Sequence, residues 1–72
     1  MFPNLRAEMA RNNIKITDIA GLLNVSEKTV RNYINGKTNI SWFDSLKIKN
    51  TLFPKASLEY LFATEEKAEQ AN

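Results

Sequence analysis

Apolar residues recur at spacings of three and four along most of the chain, which is the period of amphipathic α-helices. The clearest stripe predicts a helix over 16–23, with members at i, i+3, i+4 and i+7: Ile16, Ile19, Ala20 and Leu23. A second stripe predicts a helix over about 27–35, with an inward side formed by Val30, Tyr33 and Ile34. The other side of that helix is polar, and its outward members are Glu27, Lys28, Arg31 and Asn32.

Residues that favour helix ends divide the chain into five predicted helices. Pro3 suits the first turn of the first helix. Serine is a favourable N-cap, and it precedes the last three helices at Ser26, Ser41 and Ser57. The predicted bounds are about 3–12, 16–23, 27–35, 42–52 and 58–63. The pattern therefore predicts an all-α domain over residues 1–63, followed by a tail over 64–72.

The charge is unevenly distributed, although the formal net charge is only +2. Residues 1–62 contain nine Lys or Arg and five Asp or Glu, whereas residues 63–72 contain one Lys and three Glu. A mildly basic body suits a polyanionic partner such as nucleic acid. The tail over 64–72 is acidic and lacks core-forming residues, so we predict that it is flexible.

The residue types that carry most catalysis and metal binding are missing. The chain has no histidine and no cysteine, which removes the commonest general base and the usual zinc ligands. Its two glycines form no phosphate-binding loop, and its acidic residues lie in separate segments. We therefore predict that it is not an enzyme and binds no metal, cofactor or small-molecule substrate. No apolar run approaches the ~20 residues that a membrane span needs.

The helices over 16–23 and 27–35 are joined by about three residues, which is the spacing of a helix-turn-helix. Two helices that cross steeply need a small residue where they touch, and Ala20 supplies it. The turn needs a residue that accepts positive φ, and Asn24 is the next best choice after glycine. The apolar residues that flank the turn and recur in the second of these helices include Val25, Val30 and Tyr33.

Residues 16–35, and most clearly NVSEKTVRNYINGKT over 24–38, resemble the core of the Cro/phage-repressor class of helix-turn-helix proteins. The resemblance extends to SLEYLF over 57–62 and covers about 60 of the 72 residues. It implies a five-helix Cro/repressor-like domain that places its third helix in the major groove of DNA. The chain is also similar to small regulators of temperate phages of Gram-positive bacteria, which implies the cytoplasm of a bacterial host cell.

The resemblance assigns base edges to the third helix and phosphates to the loop that follows it. Base contacts fall to the exposed side of the helix, at Glu27, Lys28, Thr29, Arg31 and Asn32. Phosphate contacts fall to Lys37, Thr38 and Asn39, with Lys15 as a further candidate at the start of the second helix. These residue types suit the chemistry, because Arg and Lys donate to guanine, Asn pairs with adenine and Glu accepts from cytosine.

Two functions are open at this stage. In the first, the chain regulates a phage lysis/lysogeny switch by presenting residues 27–35 to operator DNA, as a homodimer if it addresses two half-sites. In the second, it is an antirepressor that uses the same surface to bind the DNA-binding domain of the cognate phage repressor. Glu27 favours the second function, because it repels phosphates and attracts a basic face. The family usually has Ser or Thr followed by Gln where this chain has Lys15 and Ile16, which also favours a protein partner.

Several side chains outside this surface are given other roles. Tyr33 and Trp42 are predicted to lie in the core, Tyr33 with its hydroxyl at the rim. Phe43 and Leu46 either complete the core or leave an exposed patch that pairs two chains. The charged residues predicted to be plain solvated surface are Lys47, Lys49 and Lys55, together with Glu65, Glu66 and Glu69 of the tail.

Overall fold

The computed structural model describes residues 1–64, and every regular element in that range is an α-helix. The helices are α1 (Pro3–Arg11), α2 (Ile16–Leu23), α3 (Glu27–Ile34), α4 (Trp42–Leu52) and α5 (Leu58–Leu61). The all-α prediction is confirmed, and α2 and α4 have the predicted bounds. The other three helices end one or two residues earlier than predicted. Within the described range, no helix is long and apolar enough to cross a membrane.

Local hydrogen bonds explain where four of the helices begin. The hydroxyls of Ser26, Ser41 and Ser57 each accept a bond at 3.1 Å from the backbone N–H three residues further on. Each such cap contributes about 1 kcal/mol relative to alanine. At the start of α2 the Asp18 carboxylate instead accepts from the backbone N–H of Lys15 at 2.8 Å. The Lys15 side chain has no acceptor and gives no cap, as predicted.

The helices enclose one hydrophobic core, in which α2 packs on α3 and α4, while α1 and α4 both pack on α5. The buried apolar residues are Leu5, Met9, Ile19, Ala20, Leu23, Val30, Ile34, Ile48, Phe53 and Leu61. Val25 and Tyr33 are half-buried against this core. The rings of Phe2 and Phe62 meet edge to face, with centroids 5.4 Å apart, and join the start of α1 to the end of α5. The core lies against the apolar sides of α2 and α3 and leaves the polar side of α3 in solvent.

Trp42 does not lie in the core, contrary to the prediction. It is 63% exposed, and the neighbouring Phe43 is 81% exposed. The periodicity does place Trp42 one turn before the buried Ser45 on α4. Because Trp42 is the first residue of the helix, however, it extends beyond the core and lines a shallow depression beside α5. Leu46 is half-buried, so only Phe43 follows the exposed alternative.

The predicted tail falls almost entirely beyond the part of the chain that the structure describes. Thr64 is half-buried and is the last described residue. The predictions for Glu65, Glu66 and Glu69 concern positions outside the described residues. Among the lysines predicted to be solvated, Lys47 and Lys55 are exposed. Lys49 is half-buried and donates to the carbonyl of Pro54 at 3.0 Å, so it closes the end of α4.

Candidate functional site

The turn between α2 and α3 has the backbone geometry that the sequence predicts. Asn24 adopts the left-handed conformation, with φ 58° and ψ 46°. The carbonyl of Ala20 accepts from the N–H groups of Asn24 and Val25, the latter at 3.0 Å. Ala20 is buried, and Val30 of α3 is only 1% exposed. The turn therefore holds α3 against α2 with its apolar stripe inward and its polar side outward.

Replacing Asn24 with valine is expected to lower the free energy of unfolding by about 1–2 kcal/mol, because a β-branched side chain is strained at positive φ. Asn24 is exposed, so the change removes no buried contact. Urea unfolding followed by circular dichroism measures the effect. Asn24→Gly is the matched control and should change stability little. Equal destabilisation by both substitutions would contradict a backbone origin.

The outward side of α3 presents both charges and neutral polar groups. Glu27, Lys28 and Arg31 are exposed, whereas Thr29 and Asn32 are half-buried. The backbone N–H of Thr29 donates to the Ser26 hydroxyl, and the two hydroxyl oxygens lie 3.0 Å apart. Thr29 is therefore already engaged in the helix cap. The groups best placed to meet a partner are the charged side chains.

Glu27 and Arg31 form an ion pair one turn apart on α3. An Arg31 Nη2 lies 3.2 Å from a Glu27 Oε1, and the two side chains are 47% and 55% exposed, Glu27 being the more covered. An exposed pair at this spacing contributes only about 0.3–0.5 kcal/mol, so a partner can separate it readily. The i, i+4 spacing in the sequence could have predicted this pair. Lys28 forms no ion pair with any described residue and keeps an uncompensated charge.

The loop over 35–39 is fixed directly to the last turn of α3. The carbonyl of Asn32 accepts from the N–H groups of Lys37 at 2.9 Å and Thr38 at 3.4 Å. The side chains of Lys37, Thr38 and Asn39 are exposed. Gly36 suits this turn because its φ is +78°, a conformation that other residues rarely adopt. The structure thus joins the predicted phosphate residues to the predicted base-reading helix.

Arg6 is a further cation at this surface, and the local sequence pattern did not single it out. Its Nη2 donates to the Asn35 Oδ1 at 2.9 Å, across 29 residues of sequence. Because the acceptor is a neutral amide, this bond does not offset the positive charge of the guanidinium. Arg6 and Arg31 border a shallow groove. The apolar residues of that groove are Met9, Ile16 and Ile34.

The Lys15 side chain is not linked to the rest of the predicted site by an ion pair or hydrogen bond within the described range. It is exposed at the N-cap of α2, and no hydrogen bond within the described range joins its side chain to α3 or to the loop over 35–39.

The described residues hold no cluster of three metal-ligating side chains. Comparison of the chain with protein-family models, curated proteins and solved structures gave no match.

Proposed function

We propose that the chain is a helix-turn-helix transcriptional regulator of the Cro/phage-repressor type, which presents α3 to operator DNA in a phage lysis/lysogeny switch. The observation that carries the proposal is the joining of α3 and the loop over 35–39 through the Asn32 carbonyl. This bond fixes the position of Lys37 relative to the side chains of Lys28 and Arg31. A duplex needs such an arrangement, because base edges and phosphates must be contacted in one register.

The start of α4 follows this loop directly and is a further candidate for phosphate contact, with the Asp44 carboxylate in the same first turn. The loop over 35–39 leads through Ile40 to Ser41, which caps α4 through the N–H of Asp44. The first N–H groups of an 11-residue helix carry partial positive charge and favour a phosphate oxygen. Together with Lys37 they give the loop a donor set that suits the DNA backbone.

The proposal is tested by mobility-shift titration against DNA fragments from the regulatory region beside the chain's own gene. We expect at least one fragment to bind about a thousandfold more tightly than random DNA of equal length, the low end for specific binders. The salt concentration must be held fixed across fragments, since phosphate contacts make affinity salt-dependent. Equal affinity for all fragments would count against the proposal.

Replacing Lys37 with alanine is expected to flatten the salt dependence of DNA binding. Loss of one phosphate contact changes the slope of log K against log salt by about 0.9. Base preference should stay the same, because a phosphate contact carries no sequence information. Titrations at four salt concentrations measure the slope. Lys55→Ala removes another exposed lysine, between α4 and α5, and the proposal is wrong for Lys37 if both variants have the same slope.

A second candidate function is antirepression by direct binding to the cognate phage repressor. Two observations favour it: the Glu27–Arg31 pair reduces the positive charge of α3, and the groove between Arg6 and Arg31 is lined by apolar side chains. Ile16 is half-buried in that groove, where an apolar group suits a protein partner better than a phosphate. Gel filtration of the chain mixed with the repressor, without DNA, tests this function. Separate elution of the two proteins at micromolar concentration would contradict it.

A further inference from the structure

The side chains of the two exposed aromatic residues at the start of α4 are assigned to neither DNA nor repressor, since only backbone N–H groups of that turn are proposed to contact phosphate. Trp42 and Phe43 are 63% and 81% exposed. A large aromatic side chain presents roughly 150–250 Å², so these two expose on the order of 300 Å² between them. That value already reaches the size of the largest apolar patches on ordinary monomers. Patches of this size are often functional, so the neighbouring geometry and charges decide what this one can contact.

The two aromatic residues play different geometric roles. Trp42 lines a shallow depression between α4 and α5, whereas Phe43 does not line it and is 81% exposed. The apolar lining of the depression also includes Leu58, Phe62 and Ala63. Because Phe43 follows Trp42 directly, a projecting ring lies beside a concave apolar surface. This arrangement suits a two-fold interface, in which the same patch on both copies must be self-complementary.

Charges at the same place are complementary. Lys47 lies one helical turn after Phe43 and is exposed, and Glu59 is exposed at the depression. Neither forms an ion pair with any other described residue. When Phe43 of one copy enters the depression of another, Lys47 of the first copy approaches Glu59 of the second. The charges therefore favour insertion of a second copy of this chain.

We propose that the depression beside Trp42 receives Phe43 from a second copy, with Lys47 facing Glu59 across a two-fold axis. Four aromatic rings would contribute about 600 Å², roughly half of the 1,200 Å² at the low end of specific interfaces, and the walls of the two depressions would add to it. The dimer is therefore weak and forms at high micromolar concentration. It leaves the outward side of α3 uncovered, and it does not depend on which partner α3 binds.

Sedimentation equilibrium of the full chain, from about 10 µM to 1 mM and without DNA, tests the proposal. We expect a reversible dimer that Phe43→Ala weakens at least about tenfold, as for an aromatic interface anchor. Lys47→Glu and Glu59→Lys should each weaken it by about threefold, and combining them should restore it. Lys28→Glu makes the same charge change on α3 and should leave the dimer unchanged. A double variant no tighter than the two single variants would overturn the Lys47–Glu59 pairing.

The single tryptophan of the chain distinguishes a second copy from other occupants of the depression. In the dimer, Trp42 emission should shift to shorter wavelength as concentration rises, and Phe43→Ala should abolish the shift. Short-wavelength emission at every concentration, together with the mass of a single chain, would mean that the chain's own tail covers the depression. Long-wavelength emission with the mass of a single chain at 1 mM would mean that nothing covers it. Either result overturns the proposal.

Discussion

Replacing Leu61 with alanine is expected to lower the free energy of unfolding by about 2–5 kcal/mol. Leu61 is fully buried, and α5, to which it belongs, is only four residues long. A helix this short has too few internal hydrogen bonds to persist alone, so its packing on α1 and α4 keeps it in place. Because the total stability of small domains is typically only 5–15 kcal/mol, this one side chain supplies a large share of it.

Urea unfolding followed by circular dichroism measures the Leu61→Ala effect, and Leu22→Ala is the matched control. Leu22 is half-buried on α2, so the same substitution removes less buried surface and should destabilise the fold less. We expect the Leu61 variant to lose DNA or repressor binding only in proportion to the fraction unfolded. An equal loss of stability in the two variants would contradict the prediction that the burial of Leu61 on α5 contributes more to stability than the partial burial of Leu22.

The first residue of each helix could be predicted because the causes are local. Serine caps lie three residues before the N–H groups that they accept from, and Asn24 meets the demand for positive φ within the turn itself. The apolar stripe of α2 was equally informative, since Ile19, Ala20 and Leu23 are all buried. These features depend on residues only a few positions apart, so the sequence alone is enough to predict them.

The features that the sequence did not predict depend on residues far apart in the chain. Arg6 of α1 donates to Asn35 at the end of α3 across 29 residues of sequence, and no spacing in the sequence signals that contact. Phe53 lies just after α4 and outside any helical stripe, yet the turn at Pro54 brings it into the core. The prediction for Trp42 is wrong for the opposite reason: Trp42 follows the helical period, but no other element of residues 1–64 covers that end of α4.

The sequence predicted which residues of α3 are exposed, but it did not predict which of their charges are paired. The outward positions of α3 follow from its amphipathic period, and Glu27, Lys28 and Arg31 are indeed exposed. Their net effect on a partner depends on pairing, because the Arg31 charge is partly offset by Glu27, whereas Lys28 and Arg6 form no ion pair with a described residue. The surface therefore combines uncompensated cations with one carboxylate at the head of α3.

That carboxylate makes Glu27→Lys the substitution with the largest expected effect on binding, and the effect has opposite signs for the two candidate partners. On DNA, the change removes a repulsive charge, releases Arg31 from its pair and adds a cation. One additional phosphate contact near 0.1 M salt raises affinity by roughly tenfold. On a repressor, the loss and reversal of a charge that faces a basic surface weakens the complex by about 2 kcal/mol or more, roughly thirtyfold.

Glu27→Gln separates charge reversal from loss of the ion pair. It keeps the shape of the side chain and frees Arg31, so DNA affinity should rise by less than in the lysine variant, while repressor affinity should fall by less. Fluorescence anisotropy with labelled operator fragments and with labelled repressor measures both equilibria under one buffer. If Glu27→Lys weakens both complexes alike, the carboxylate supports the shape of α3 and does not select a partner. If it strengthens DNA binding and removes the repressor complex, the antirepressor function depends on Glu27, and one position on α3 decides between the two partners.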